Sequence, residues 1–164
     1  MERARPATRH DLDAVATLAR AAIEELTPLR GGAVWRAQQA RREPLEAALA
    51  TLLEEPGARV LVGTLDGEIL GYAVARIEVL DGGVLLGVVE DLYVDPEARS
   101  VGLGEALVED LTGWCRQRSC VGMDAIALPG QRSTKNFFEG AGFTARKLVM
   151  HRSLRTTPDG GAEP

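Results

Sequence analysis

Residues 88–107 read Val-Val-Glu-Asp-Leu-Tyr-Val-Asp-Pro-Glu-Ala-Arg-Ser-Val-Gly-Leu-Gly-Glu-Ala-Leu, an apolar run that passes through a loop holding Gly102 and Gly104 into a helical pattern. A strand that feeds a helix in this way leaves the first helical amides without intrahelical acceptors and aims them outward, where the backbone dipole also favours an anion. Such a junction can hold a phosphate or pyrophosphate with little positive charge. Glycine serves where a ligand approaches the backbone closely or where φ is positive, and Leu103 between the two glycines anchors the turn. Two nucleotide loops compare poorly with it. A dinucleotide fingerprint wants a third glycine where Leu107 stands, although Asp124 lies at the distance of a ribose acid. A P-loop needs Gly-Lys-Ser/Thr, and here Gly104 is followed by Glu105 and Ala106.

Other chemistries lack supply. His10 and His151 are the two histidines, at opposite ends of the chain, and Cys115 and Cys120 are the two cysteines. With no CxxC and no metal-ligand spacing, no metal site, disulfide framework or Ser-His-Asp triad is expected. Cys115 reads as a small buried apolar residue. Lys and Arg number 19 against 24 for Asp and Glu, a net charge of -5, which argues against nucleic acid and anionic membrane as partners. No stretch approaches the roughly 18 unbroken apolar residues of a membrane helix, and MERARPATRHDLD lacks the apolar core of a signal peptide. The expectation is a soluble, cytoplasmic protein.

The elements that must position the loop follow from periodicity. The 164 residues, 45% hydrophobic and 26% charged, suffice for one domain with its own core. Arg3 to Ala7 can start a strand, and Leu12, Val15, Leu18, Ala19, Ala22, Ile23 and Leu26 recur at helical spacing over about 11–26. Thr27-Pro-Leu-Arg-Gly-Gly breaks the chain, 33–42 is polar and ambiguous, and Leu45, Ala48, Leu49, Leu52 and Leu53 mark a second helix. Residues 59–65 and 69–79 form a hairpin about Asp66-Gly67, and Asp81-Gly-Gly turns into a third strand over 84–94. A helix over 102–118, a short strand over 123–128, a helix over 133–141 and a last strand over 143–154 follow. Residues 155–164 have no apolar anchor and are expected to be disordered. The order is strand, helix, helix, three strands, helix, strand, helix, strand, an α/β fold with a mixed, mostly antiparallel sheet flanked by helices.

Arg99-Ser-Val-Gly102-Leu-Gly104 is similar to the Arg/Gln-x-x-Gly-x-Gly/Ala loop of the GNAT superfamily of acetyl-CoA-dependent N-acetyltransferases. Its flanks agree: Leu92-Tyr-Val94-Asp-Pro96 resembles the family's Leu-x-Val-x-Pro strand end, and Phe137-Phe-Glu-Gly-Ala-Gly142-Phe143 its Phe-Tyr-Glu-Lys-x-Gly-Phe segment. The resemblance extends over about residues 3–154 and implies one acetyltransferase domain across 1–154.

The resemblance further implies that acetyl-CoA, as acyl donor, lies in a V-shaped opening between the strands at 84–94 and 123–128. Ser100, Val101, Gly102, Leu103 and Gly104 would meet the pyrophosphate, with Arg99 in the same loop and Arg132 and Lys135 within reach of the nucleotide's phosphate. The free edge at Leu92, Tyr93 and Val94 would bond the pantetheine arm, one amide polarising the thioester carbonyl. Direct transfer to an amine needs a base. Glu90 and Asp91 are adjacent, so on a regular strand their side chains point to opposite faces and only one can look toward the acceptor. Glu90, directly or through water, is preferred, and Asp91 is the alternative.

Departures from the family pattern fall at Phe138, where relatives carry a tyrosine that protonates the leaving thiolate, and at Gln131, where they carry asparagine. Tyr72 and Tyr93 are the tyrosines left as substitutes. The implied acceptor floor is the connection 26–44, where Arg30, Trp35, Arg36, Arg41 and Arg42 could meet a carboxylate or phosphate. The expected activity is N-acetyl transfer to a primary amine of a small molecule or protein. The alternative is a catalytically degenerate domain that binds CoA as sensor or scaffold. A homodimer through a sheet edge is a further expectation.

Overall fold

The computed structural model describes residues 1–155. Five strands form one sheet: β1 (Glu2–Pro6), β2 (Ala58–Leu65), β3 (Glu68–Val79), β4 (Leu85–Val94) and β5 (Gly122–Ala125), in the order β1-β2-β3-β4-β5. The first three junctions are antiparallel and β4 to β5 is parallel. Asp66 and Gly67 both take positive φ, 49° and 90°, as a two-residue hairpin turn between right-twisted strands requires.

Alternation along the strands divides the core in two. Val60, Val62, Tyr72 and Val74 face α1 (Leu12–Leu26) and α3 (Leu45–Glu54), whose Val15, Leu18, Ala19, Leu45, Leu49 and Leu52 repeat at three and four. Leu61, Ala73, Ala75 and Val89 face Leu107, Leu111, Trp114 and Cys115 of α4 (Leu103–Gln117). Burial pushes the Cys115 thiol up to about 11, in keeping with an apolar role. The start of α1 is locked by Asp11, which accepts from the Thr8 amide (2.7 Å) and hydroxyl (2.9 Å) and from both prongs of Arg5 (2.8 and 2.9 Å).

Three differences from the sequence reading matter. The ambiguous stretch contains a helix, α2 (Gly32–Gln38), entered from Gly31 in the left-handed region. The strand expected over 123–128 stops at Ala125, and the Leu128 amide turns instead to Gln131 Oε1 at 3.3 Å. After α5 (Arg132–Gly140), the last strand expected over 143–154 is absent among the described residues. Leu148, Val149 and Met150 are consecutive, so no single strand face collects them, and all are more than 80% exposed. The expected disordered tail lies, from Thr156 onward, outside the described residues.

Candidate active site

The site begins where β4 loses a neighbour. Its parallel pairing with β5 runs from Leu86–Gly122 to Val89–Ala125, and from Glu90 to Val94 only β3 accompanies it. The backbone groups on that side of 90–94 therefore face an opening, as the family resemblance implies. At the same point the antiparallel register shifts: Ala75 pairs with Val89 and Val74 with Asp91, leaving Glu90 as the extra residue of a β-bulge. The bulge corrects the expectation that Glu90 and Asp91 point to opposite faces. Both carboxylates reach one guanidinium, that of Arg41.

Arg41 lies on the connection between α2 and α3. Its Nε and Nη2 donate to Asp91 Oδ2 (2.9 Å) and Oδ1 (2.8 Å), and Nη2 also to Glu90 Oε2 (2.8 Å). Tyr72 on β3 donates its hydroxyl to Asp91 Oδ2 at 2.9 Å, and Arg76 places Nε 3.0 Å from Glu90 Oε1. Arg76 also pairs with Glu55 Oε2 at 2.8 Å, so the network sets three carboxylates against two guanidinium groups, each of which has a carboxylate partner. Burial pulls the Arg41 pKa down, and the charges and hydrogen bonds of Asp91 and Glu90 more than offset it, so this group stays charged. Burial, then the neighbouring Asp91 charge, pushes the Tyr72 hydroxyl well above the ordinary tyrosine range, so it stays a donor. Asp91 is the more committed carboxylate, with three donors and a side chain 14% exposed. Glu90 is 31% exposed.

The cluster walls a hollow completed by Ile23 and Leu26 of α1, Trp35 of α2, Leu92 on the free edge, and Phe138 of α5. Gln131 also lines it while holding the Leu128 amide. Phe138 is 7% exposed and packs edge-on to Phe137 and Phe143, at centroid distances of 5.4 and 5.1 Å. The ring seals this side of the hollow and brings no proton.

Beyond Val94 the chain turns on Asp95, whose carboxylate accepts from the Glu97 amide at 2.9 Å, and passes through a short 3-10 turn, 96–98. Ser100 (φ 69°) and Gly102 (φ 89°) both occupy the left-handed region on either side of Val101, and α4 starts at Leu103. This loop leads the unbonded first amides of α4 outward. The two glycines answer different demands. Gly102 needs its φ, and a Cβ there would meet nothing closer than Glu2 Cγ at 3.6 Å. A Cβ on Gly104 would lie 3.2 Å from the Phe137 ring, so that glycine lets α5 pack on α4. Leu103 is 1% exposed and wedged against Gly63 and Gly71, leaving it only its amide to offer.

Three residues expected at the cofactor have side chains engaged within the protein. Arg99 donates Nε to the Val94 carbonyl (2.9 Å) and Nη2 to Glu25 (2.7 Å), lying 5.4 Å from the Tyr93 ring centroid. Tyr93 is thereby engaged in a contact across to α1, and Lys135 pairs with Glu139 at 2.6 Å. Sequence reasoning missed the joining of Arg41 and Arg76 to the carboxylates. The basic composition of 30–42 was visible, but nothing in it distinguishes the arginine that turns inward.

The sequence pattern of the acetyltransferase (GNAT) family matches residues 19–143. A glucosamine 6-phosphate N-acetyltransferase of Trypanosoma brucei brucei is 34% identical over 90 residues, 54% of this chain and 59% of that protein. An aminoglycoside N(6')-acetyltransferase type 1 of Stenotrophomonas maltophilia is 32% identical over 82 residues, 48% of this chain and 54% of that protein. The chain thus spans somewhat more than half the length of these relatives. In three dimensions it superposes on AAC(6')-Iy, solved in complex with the bisubstrate analog CoA-S-monomethyl-acetylneamine, with a TM-score of 0.71 at 16% identity, covering 95% of this chain and 99% of that one. The split sheet, the left-handed loop before α4 and the matched pattern agree: the chain belongs to the GNAT acetyltransferase family.

Proposed function

We propose that this chain, as one domain over 1–154, is an N-acetyltransferase that moves the acetyl group of acetyl-CoA directly to a primary amine of a small molecule, with an amino sugar as the first candidate. The acceptors for which the two relatives are named, glucosamine 6-phosphate and aminoglycosides, support this class. The observation that carries the reading is the coincidence at one point of β4: pairing to β5 ends at Val89, and the next two residues are the paired carboxylates. The residues present fit acetyl-CoA. The amides from Ser100 to Gly104 are those of a left-handed loop and a helix start, suited to a pyrophosphate, and the free edge at Leu92–Val94 suits the amides of the pantetheine arm.

Acetyl-CoA supplies an activated thioester when bound. Transfer makes a C–N bond and breaks a C–S bond; the amine gives up a proton, and the sulfur takes one. Glu90 is the base in this reading, being the more accessible carboxylate, and Asp91 anchors Arg41 and Tyr72. Arg41 and Arg76 hold Glu90 from two sides and fix its orientation. Phe138 has no proton to give, so the thiolate leaves unassisted or takes its proton from water. With a model thiol pKa of about 8.5, that costs rate without stopping turnover. The test is acetyl-CoA-dependent thiol release with a panel of amines, using the parent and Glu90→Gln. Amine-dependent release that collapses in the variant supports the reading, and equal release by both proteins removes Glu90 from it.

A further inference from the structure

The charges around the hollow carry the reading to a class of acceptor. A second, outer hollow adjoins the first and shares its wall of Ile23, Ala40 and Arg41. The outer one is lined by Arg20, Arg36 and Arg42, with Glu24 and Glu43. Arg20 is committed: Nε lies 2.7 Å from Glu43 Oε1, and Nη2 lies 2.9 Å from Glu43 Oε2 and from Glu46 Oε2. Arg36 and Arg42 form no ion pair among the described residues, and Arg36 has one long bond, 3.4 Å to the Thr27 hydroxyl. Arg36 and Arg42 therefore line the outer hollow as guanidinium groups without a carboxylate partner, beside Glu24, which likewise forms no ion pair among the described residues. Arg41 and Arg42 are consecutive, the first turned into the carboxylate cluster and the second lining the outer hollow.

We propose that the acceptor is an amine that also carries an anionic group, a phosphate or carboxylate, with its amine at Glu90 in the inner hollow and its anion on Arg36 and Arg42 in the outer one. This rests on the acetyltransferase reading above. Charge balance separates the acceptor classes. Inside, the two lining carboxylates are already paired, Asp91 with Arg41 and Glu90 with Arg41 and Arg76, so a polycation finds no unpaired carboxylate in that wall. Outside, its further ammonium groups meet free guanidinium groups and are repelled, whereas a phosphate accepts their paired N–H donors.

The experiment measures kcat/KM for acetyl-CoA-dependent thiol release with matched acceptors: glucosamine against glucosamine 6-phosphate, ethanolamine against phosphoethanolamine, and kanamycin as a polycation. The expected result is a preference of about tenfold to a hundredfold for a phosphorylated member over its unphosphorylated twin, shrinking as salt is raised. In an Arg36→Ala, Arg42→Ala double variant that ratio falls toward one. Turnover without a phosphate preference, with kanamycin favoured, or with a preference unchanged in the double variant, overturns the inference and leaves the acetyltransferase reading standing. Turnover of none of these amines by protein that binds acetyl-CoA removes both.

Discussion

Asp11 and Asp91 each receive a two-pronged guanidinium and a hydroxyl. On Asp11 these are Arg5 at 2.8 and 2.9 Å and Thr8 at 2.9 Å; on Asp91 they are Arg41 at 2.8 and 2.9 Å and Tyr72 at 2.9 Å. The partners of Asp11 lie within six residues and serve to start a helix. Those of Asp91 come from 19 and 50 residues away, and the assembly walls a hollow beside a second carboxylate. A buried ion pair is thus not in itself a site. Free volume beside it, a break in the sheet that exposes backbone, and an extra carboxylate with access to solvent are what turn the same hydrogen-bond pattern toward chemistry.

The contrast breaks most visibly at Glu90. Glu90→Gln is expected to lower kcat about a hundredfold to a thousandfold, the range of a lost general base, while thermal unfolding hardly changes. Arg41 keeps Asp91, and Arg76 keeps Glu55 at 2.8 Å. Asp11→Ala should do the reverse. Breaking a buried pair costs about 3–5 kcal/mol. Because Arg5 is 45% exposed and can rehydrate, a loss of about 2–3 kcal/mol is expected, lowering the unfolding midpoint by roughly 5–10 °C with kcat/KM unchanged. An Asp11 variant that unfolds normally but has lost activity would erase the distinction.

Acid sharpens it. The hydrogen bonds from Arg5 hold the Asp11 carboxyl well below the usual carboxylate range, against the opposing effect of burial. A depressed folded pKa gives stability that is full above the unfolded value, about 3.9, and is lost as pH falls through the folded one. The unfolding midpoint of the parent should therefore drop on going from pH 5 to pH 3, and drop less in Asp11→Ala. The smallest effect is expected from Phe138→Tyr, a rise in rate of up to about tenfold if the new hydroxyl reaches the leaving sulfur. A silent parent made active by that change would favour the CoA-binding alternative.

The fold was legible where periodicity is strong. The hairpin about Asp66-Gly67, α1, α3 and α4 all follow from apolar spacing and turn chemistry. The loop at Ser100–Gly104 was legible too, because a strand, a glycine pair and a helix must follow one another in sequence. The geometry of the carboxylates was not. Strict alternation sends Glu90 and Asp91 apart, and only the bulge opposite Val74 and Ala75, a property of two paired strands, brings them together. Nor could the sequence choose Arg41 among the arginines of 30–42, since that choice depends on how the α2–α3 connection lies over β4. The last expected strand failed because its apolar residues are bunched rather than alternating.

Acetyl-CoA binding rests on the loop before α4. Calorimetric titration of acetyl-CoA into the parent and into Gly102→Glu tests it directly. Gly102→Glu spares the packing on Phe137 that a side chain at Gly104 would strike, and Gly102→Ala, which strains the same left-handed φ without a carboxylate, is its control. The expectation is binding on the order of micromolar in the parent, with at least about a tenfold loss in a Gly102→Glu variant that remains folded. Binding that the added carboxylate leaves unchanged, or a folded parent that binds no acetyl-CoA, would contradict it.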